Sequence, residues 1–260
     1  MLEVGGETLV LTHDAMVEGV HFLSGQDPAD IAWKLVATNM SDLAAKGAEP
    51  LGVLLGYQFG GDDARFVAGL TDALEHYGAP LLGGDTVSAN GRQNLGLTAL
   101  GRAIHRPVPS RSGARVADGL WITGPVGAAM LGFEALKAGS GDSTGYRRPL
   151  ALLAQGQALA PHVSAMMDVS DGLLLDASRM AEASGITLAI ERAAVPIAAP
   201  ESRRDAALRW GEDYQLLFTL PAGIEAPVRA WQIGVVQSRG EHALLLDGEP
   251  PPGKLGYEHG

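Results

Sequence analysis

The chain has 260 residues and carries 19 Lys plus Arg against 30 Asp plus Glu, a formal net charge of −11. That sign disfavours a nucleic-acid duplex or an anionic membrane surface as partner, and no run approaches the ~20 apolar residues of a membrane-spanning helix. The absence of Cys excludes disulfides, thiolate metal sites and cysteine nucleophiles within the chain, and Met1 to Thr12 lacks the basic-then-apolar order of a signal peptide, so the expectation is a cytoplasmic protein with a buried core in one large domain or two.

In chain order, Glu7 to His13 alternates as a strand, and Ala15 to Phe22 continues or pairs with it. Asp27-Pro28-Ala29-Asp30 opens a helix, with Asp27 as N-cap and Asp30 near the positive end. Ile31, Leu35, Thr38, Asn39 and Asp42 fall on one face of it, and Gly47 is a natural stop. Leu51 to Phe59 reads as a buried strand. Asp62 caps a second helix, with Phe66, Leu70, Leu74 and Tyr77 on one stripe and Gly78 at its end. Pro80-Leu81-Leu82 is a short strand running into Gly83-Gly84-Asp85, and Leu95 to Ile104 is another strand.

The seam lies around Arg106-Pro107-Val108-Pro109-Ser110-Arg111-Ser112-Gly113, which divides the chain into 1–110 and 111–260. Beyond it, Leu120 to Thr123 is a strand, Val126 to Lys137 a helix, and Leu150 to Ala160 helical. His162 to Met167 is extended and ends at Asp168-Val169-Ser170-Asp171-Gly172. A helix follows from Leu173 to Ser184, with Gly185 as stop. Ile186–Ile190, Gln215–Leu220, Gln232–Gln237 and Ala243–Leu246 are strand-like. This mixed order predicts a two-domain α+β fold rather than a doubly wound parallel sheet.

Five acids stand out by position. Asp14 follows the first strand, Asp85 ends Gly-Gly-Asp, and Asp168 and Asp171 sit at a strand-to-helix junction. Asp42 lies late in a helix, where the dipole disfavours a carboxylate by about 0.3–1 kcal/mol and so invites a cation partner. Each has a plainer role open to it: a cap, a turn, a strand end or a solvated surface acid. Together they are hard oxygen ligands that suit Mg²⁺ better than zinc. There is no G-x-x-x-x-G-K-[ST] and no G-x-G-x-x-G after a strand, so neither common phosphate-binding loop is present. Gly139 to Gly145 has the wrong spacing and reads as a flexible loop. A triphosphate could still bind if several Mg²⁺ ions bridged it to carboxylates.

Four stretches resemble thiamine-monophosphate kinases, of the aminoimidazole ribonucleotide synthetase-like superfamily. They are Thr12-His13-Asp14-Ala15-Met16-Val17-Glu18-Gly19-Val20-His21-Phe22, Asn39-Met40-Ser41-Asp42-Leu43-Ala44-Ala45-Lys46-Gly47-Ala48, Leu82-Gly83-Gly84-Asp85-Thr86 and Asp168-Val169-Ser170-Asp171-Gly172-Leu173. Gly211-Glu212-Asp213-Tyr214-Gln215-Leu216 and Gly256-Tyr257-Glu258-His259 support them. The resemblance implies that fold and ATP-dependent phosphorylation of thiamine monophosphate to thiamine diphosphate, in a homodimer paired through its first half. It further implies Mg²⁺ at Asp14, Asp42, Asp85, Asp168 and Asp171, with Thr12 and His13 beside the first metal through backbone oxygens. Gly84, Arg111 and Ser170 would touch ATP, and His21, Glu212 and Tyr257 would face the thiamine substrate, Tyr257 with a π face and Glu212 as hydrogen-bond acceptor. The acceptor is a phosphate monoester with a second pKa of about 6, so no general base is assigned.

The family carries a Gly-Asp-Asp-Ala-type metal motif upstream of the Asp14 region, and only about a dozen residues precede Asp14 here. Gly61-Asp62-Asp63-Ala64 has the letters but sits at a helix start, where capping is the expected role. A shortened or degenerate non-catalytic nucleotide-binding relative, or another ATP-dependent synthetase of the superfamily, therefore stands as the alternative.

Overall fold

The computed structural model describes residues 1–258. In the first half, β1 (Leu2–Val4), β2 (Glu7–Val17), β3 (Ala48–Gln58), β4 (Leu81–Val87) and β5 (Asn94–Ala103) form a five-stranded sheet in the order β1-β2-β5-β3-β4. Neighbours are antiparallel except β3 and β4, which are parallel. Period-two alternation divides the sheet into two faces. Val10, Met16, Val53, Tyr57, Leu95 and Leu97 point to the core side, where α1 (Pro28–Ala44) and α2 (Asp63–Tyr77) cover them. Leu11 and Leu54 point the other way and are about half exposed.

Helix α1 starts as its sequence predicts: Asp27 caps it through the Ala29 amide, 2.9 Å, and Pro28 sits in the first turn. Its burial does not follow the one-faced pattern. Fifteen of its 17 residues are buried, because the first sheet packs on one side and the second half of the chain on the other. Ala44 and Ala45 at its C-terminal end join Leu159, Met166, Leu216 and Phe218 in an apolar cluster that spans the two halves. Asp62 caps α2 through the Arg65 amide, 3.0 Å, and Gly78 ends it in the left-handed conformation, so Gly61-Asp62-Asp63-Ala64 is a helix start.

The second half contains β6 (Gly119–Ile122), α3 (Ala128–Ala138), α4 (Thr144–Arg147), α5 (Leu153–Leu159), β7 (Ala165–Asp168), α6 (Leu173–Ser184), β8 (Thr187–Ile190), α7 (Arg204–Arg209), β9 (Leu216–Leu220), β10 (Trp231–Gln237) and β11 (Leu244–Leu246). Its six strands run β11-β8-β10-β6-β9-β7, antiparallel except for β11 against β8. Helix α6 lays Leu173, Leu174, Ala177 and Met180 on this sheet.

Two expectations are corrected, and two short elements are added to those foreseen. The stretch from Gly139 to Gly145 is not simply a flexible loop: Gly139 ends α3, and Thr144 begins α4, whose Arg147 pairs with Asp30 of α1. The helix expected from Leu150 starts only at Leu153. Trp33 Nε1 donates to Pro149 O at 2.9 Å and the Ala151 amide donates to Tyr77 Oη at 2.9 Å, which keeps this segment out of the helix. Strand β1 and helix α7 are too short to leave a periodic signal.

The second acid of Gly-Glu-Asp-Tyr, Asp213, proves structural. Asp213 accepts from the Gly127 amide at 2.6 Å and the Ala129 amide at 3.0 Å, satisfying the first turn of α3 from a remote segment. Replacing it with alanine should lower stability by about 1–3 kcal/mol, read as a fall in unfolding midpoint by calorimetry.

Candidate active site

Between the halves lies a cavity of about 600 Å³, a size suited to a small-molecule site. Its acidic lining is built on three elements. Asp14 comes from β2, Asp42 from α1, and Asp168, Ser170 and Asp171 from the end of β7 and the turn after it. Helix α1 ties these together. Asn39 Oδ1 accepts from the Asp14 amide at 3.2 Å, Ser41 Oγ donates to Asp168 Oδ2 at 2.7 Å, and Asp42 accepts from the Thr12 hydroxyl. The turn after β7 is pinned from behind: buried Asp176 accepts from the Ser170 amide at 3.0 Å and the Asp171 amide at 2.9 Å, and Arg179 bridges Asp171 and Asp176. Gly211 packs so closely on this turn that a Cβ there would lie 2.2 Å from Ser170 O, which only glycine permits.

Asp14, Asp42 and Asp168 resist ionisation. Burial, then the charges of Asp42 and Asp171, raise Asp14 to about 6. Burial first, then Asp42, push Asp168 well above the usual carboxylate range. Burial also raises Asp42, opposed by the Thr12 hydroxyl and Lys46. Lys46, one turn after Asp42, is itself depressed by burial and supported by Asp168 and Asp42. Lys46 is the cation set against Asp42 and Asp168, while Arg179 serves Asp171 and Arg209 lines another part of the cavity.

A second cluster in the same cavity is aromatic. Phe133 packs on Tyr146 with ring centroids 5.1 Å apart and on Trp210 at 5.4 Å, and Tyr257 joins the lining. His21 and Glu212 lie beside it. Glu212 has φ +67°, an unusual conformation for a residue with a side chain, and its carboxylate is held 2.6 Å from the Nζ of fully buried Lys34.

Asp14, Asp42, Asp168, Asp171, Ser170, His21, Glu212 and Tyr257 thus line one cavity, and the Thr12 side chain reaches it through Asp42. Four others stand off its lining. His13 points to the opposite face of β2, its Nδ1 2.9 Å from Thr98 Oγ1. Asp85 stands in register with Gly56, Gly96 and Ala15, three strands and roughly 14 Å from β2, and also faces the open side. A Cβ on Gly84 would lie 2.1 Å from Leu55 O, so close strand packing already requires that glycine. Arg111 is exposed, near enough to Lys46 to depress it further. His259 lies outside the described residues.

Residues 1–103 match the AIR synthase related protein N-terminal domain and residues 118–247 the C-terminal domain. The thiamine-monophosphate kinase of Caulobacter vibrioides is 35% identical over 98% of this chain and 81% of that protein, and the one from Escherichia coli 35% identical over 83% and 72%. The chain belongs to the thiamine-monophosphate kinase family. Among solved structures, the AaThiL complex with AMPPCP and TMP superposes with a TM-score of 0.88 at 28% identity, covering 97% of this chain and 88% of that one. Hydrogenase maturation protein HypE, at 22% identity and a TM-score of 0.78, shares the fold.

The residues that sequence reasoning passed over are Lys34, Lys46, Phe133, Tyr146, Asp176 and Trp210. Lys46 was legible as the i+4 partner of Asp42. Lys34 was not, since a lysine in a helix reads as solvated until the packing on both sides is known.

The raised carboxylates carry a pH dependence. Asp14, Asp176 and Asp213 each lie near 6 in the folded chain against an ordinary value of 3.8, with burial the first cause for each. Groups raised on folding favour the folded state at low pH and lose that contribution as pH climbs through the folded value. The ligand-free protein should therefore melt at a higher temperature at pH 5.5 than at pH 7.5 in differential scanning calorimetry. The carboxylates lowered by surface ion pairs titrate below this window and do not reverse the trend.

Proposed function

We propose that this chain is a kinase that transfers the terminal phosphoryl group of ATP to thiamine monophosphate, giving thiamine diphosphate and ADP. The observation that carries the reading is the single cavity lined both by an aspartate cluster and by an aromatic wall with a fixed carboxylate. The first suits polyphosphate chemistry, the second a cationic heteroaromatic ring. Kinship to the family supports the choice, as does the ligand pair of AaThiL.

The donor set fits magnesium arriving with the nucleotide. Asp14, Asp42, Asp168 and Asp171 offer hard oxygens, and their mutual repulsion asks for a cation. Among the described residues no group of three His, Asp or Glu is placed to hold an ion, so a metal here would have to draw further ligands from water and phosphate oxygens. Bound there, magnesium would neutralise the phosphate charge that the aspartates otherwise repel.

The chain's own residues then position the reactants. An acceptor phosphate oxygen attacks the terminal phosphorus in line, its new P–O bond forming as the bond to ADP breaks. The acceptor is mostly dianionic at neutral pH, so no side chain has to remove a proton. His21, Glu212 and Tyr257 hold the thiamine end, and Ser170 contacts the nucleotide.

We further propose the division at residue 110 and a homodimer formed through the open face of the first sheet, where Leu11, Leu54 and Val87 stand exposed. Gly84, Asp85, His13 and Arg111 take the roles expected of them in that assembly. The setting is the cytoplasm; among the described residues no helix is long and apolar enough to cross a membrane.

A coupled ADP-release assay with thiamine monophosphate and Mg²⁺ should show turnover; nucleotide binding without it would favour a non-catalytic relative. Asp42→Asn should cost about 100-fold or more in turnover, with a melting temperature unchanged or raised because one buried like charge is gone. Leu54→Asp should shift the protein to monomer in sedimentation velocity, and an unchanged dimer would refute pairing through that face.

A further inference from the structure

We infer that Lys34 is the positioning residue of the acceptor site: its buried ammonium fixes the wall that recognises the ring end of the substrate. The inference rests on the kinase reading and adds a residue to it.

Lys34 stands in the middle of α1 with no exposed surface. Its Nζ lies 2.6 Å from Glu212 Oε1, donates to His21 O at 2.9 Å and sits 3.6 Å from the centroid of the Tyr146 ring. An ammonium has three donors, and these partners account for all three. Lys34 therefore has no capacity left for a phosphate, and its effect on substrate runs through the groups it holds.

Those groups come from three separate segments: the loop after β2, helix α4, and the turn after α7. All three line the cavity, while Lys34 does not. The Tyr146 hydroxyl donates to the same His21 carbonyl at 3.0 Å, so the contacts close into a ring. Glu212 is the member most in need of restraint. Its backbone is in the left-handed region, its amide donates to Ser170 O at 2.8 Å, and its side chain keeps partial exposure to the cavity. With Oε1 taken by Lys34, Oε2 is left to accept from a ring N–H or face a ring cation. An uncompensated lysine would be expelled from such a place, so the pair and the ring contact belong together.

The test compares purified wild type with Lys34→Met, Glu212→Gln, the double variant and Tyr146→Phe by steady-state kinetics in both substrates, with calorimetric titration of thiamine monophosphate and a thermal melt. Lys34→Met should raise the KM for thiamine monophosphate about tenfold or more, change kcat by less than about threefold and leave the KM for ATP at its wild-type value. Glu212→Gln should do the same, and the double variant should be no worse than either single change, because the two act as one unit. Tyr146→Phe should raise the same KM by about threefold to tenfold. A folded Lys34→Met protein with wild-type KM for thiamine monophosphate overturns the inference, as does a loss shared equally between the two substrates, which marks general damage. Should Lys34→Met fail to fold, wild-type acceptor KM in both Glu212→Gln and Tyr146→Phe overturns it. A wild-type protein that binds thiamine monophosphate without turnover sinks the kinase reading, and the calorimetric affinities then decide the Lys34 role alone. Failure of the wild type to bind it removes both.

Discussion

A helix buried on every side has to find a partner for each polar side chain it carries. Helix α1 is in that position, and it carries Lys34, Asn39, Ser41 and Asp42. Their partners lie in segments far apart in the chain: Glu212 for Lys34, the Asp14 amide for Asn39, Asp168 for Ser41, Thr12 for Asp42. A buried polar group without a partner costs about 1–3 kcal/mol, more when charged. Satisfying α1 therefore forces the first sheet, the β7 turn and the Gly211–Tyr214 segment into one arrangement, and that arrangement is the cavity.

The same packing concentrates negative charge. Asp14, Asp42 and Asp168 are gathered where water is scarce, with Lys46, the Thr12 and Ser41 hydroxyls and a backbone amide to oppose them. A fold selected for stability alone would separate such groups or pair each with a cation. Their retention beside an aromatic wall is what makes a charge-neutralising ligand the natural complement of this site. The strained backbone at Glu212 belongs to the same pattern, since a costly conformation persists only where the surroundings hold it. Asp176 and Arg179 act behind the scene, immobilising the Ser170–Asp171 turn without lining the cavity themselves.

The first sheet is one-sided in its covering. Helices α1 and α2 bury one face, while Leu11, Leu54 and Asp85 occupy the other. Apolar residues left on a sheet face invite association. Pairing through that face, as proposed above, would account for the position of Asp85 and Gly84 apart from the cavity of a single chain.

Much of this was readable in one dimension. The Asp27 and Asp62 caps, the strand runs and the stops at Gly78 and Gly185 depend on neighbours within a few residues, and local chemistry set them. The aspartates at strand ends were readable for the same reason, and motif likeness extended to His21, Glu212 and Tyr257. Lys34 and Asp213 were not, because their roles depend on partners 178 and 84–86 positions away, Glu212 for one and Ala129 and Gly127 for the other. The all-round burial of α1 was hidden too: periodicity reports which face of a helix is apolar, not that a second domain will cover its polar side. Sequence by itself determined the elements, their caps and the acids available. Tertiary structure decided which acids share a cleft and which lysine holds its wall, since both follow from long-range packing that no local pattern encodes.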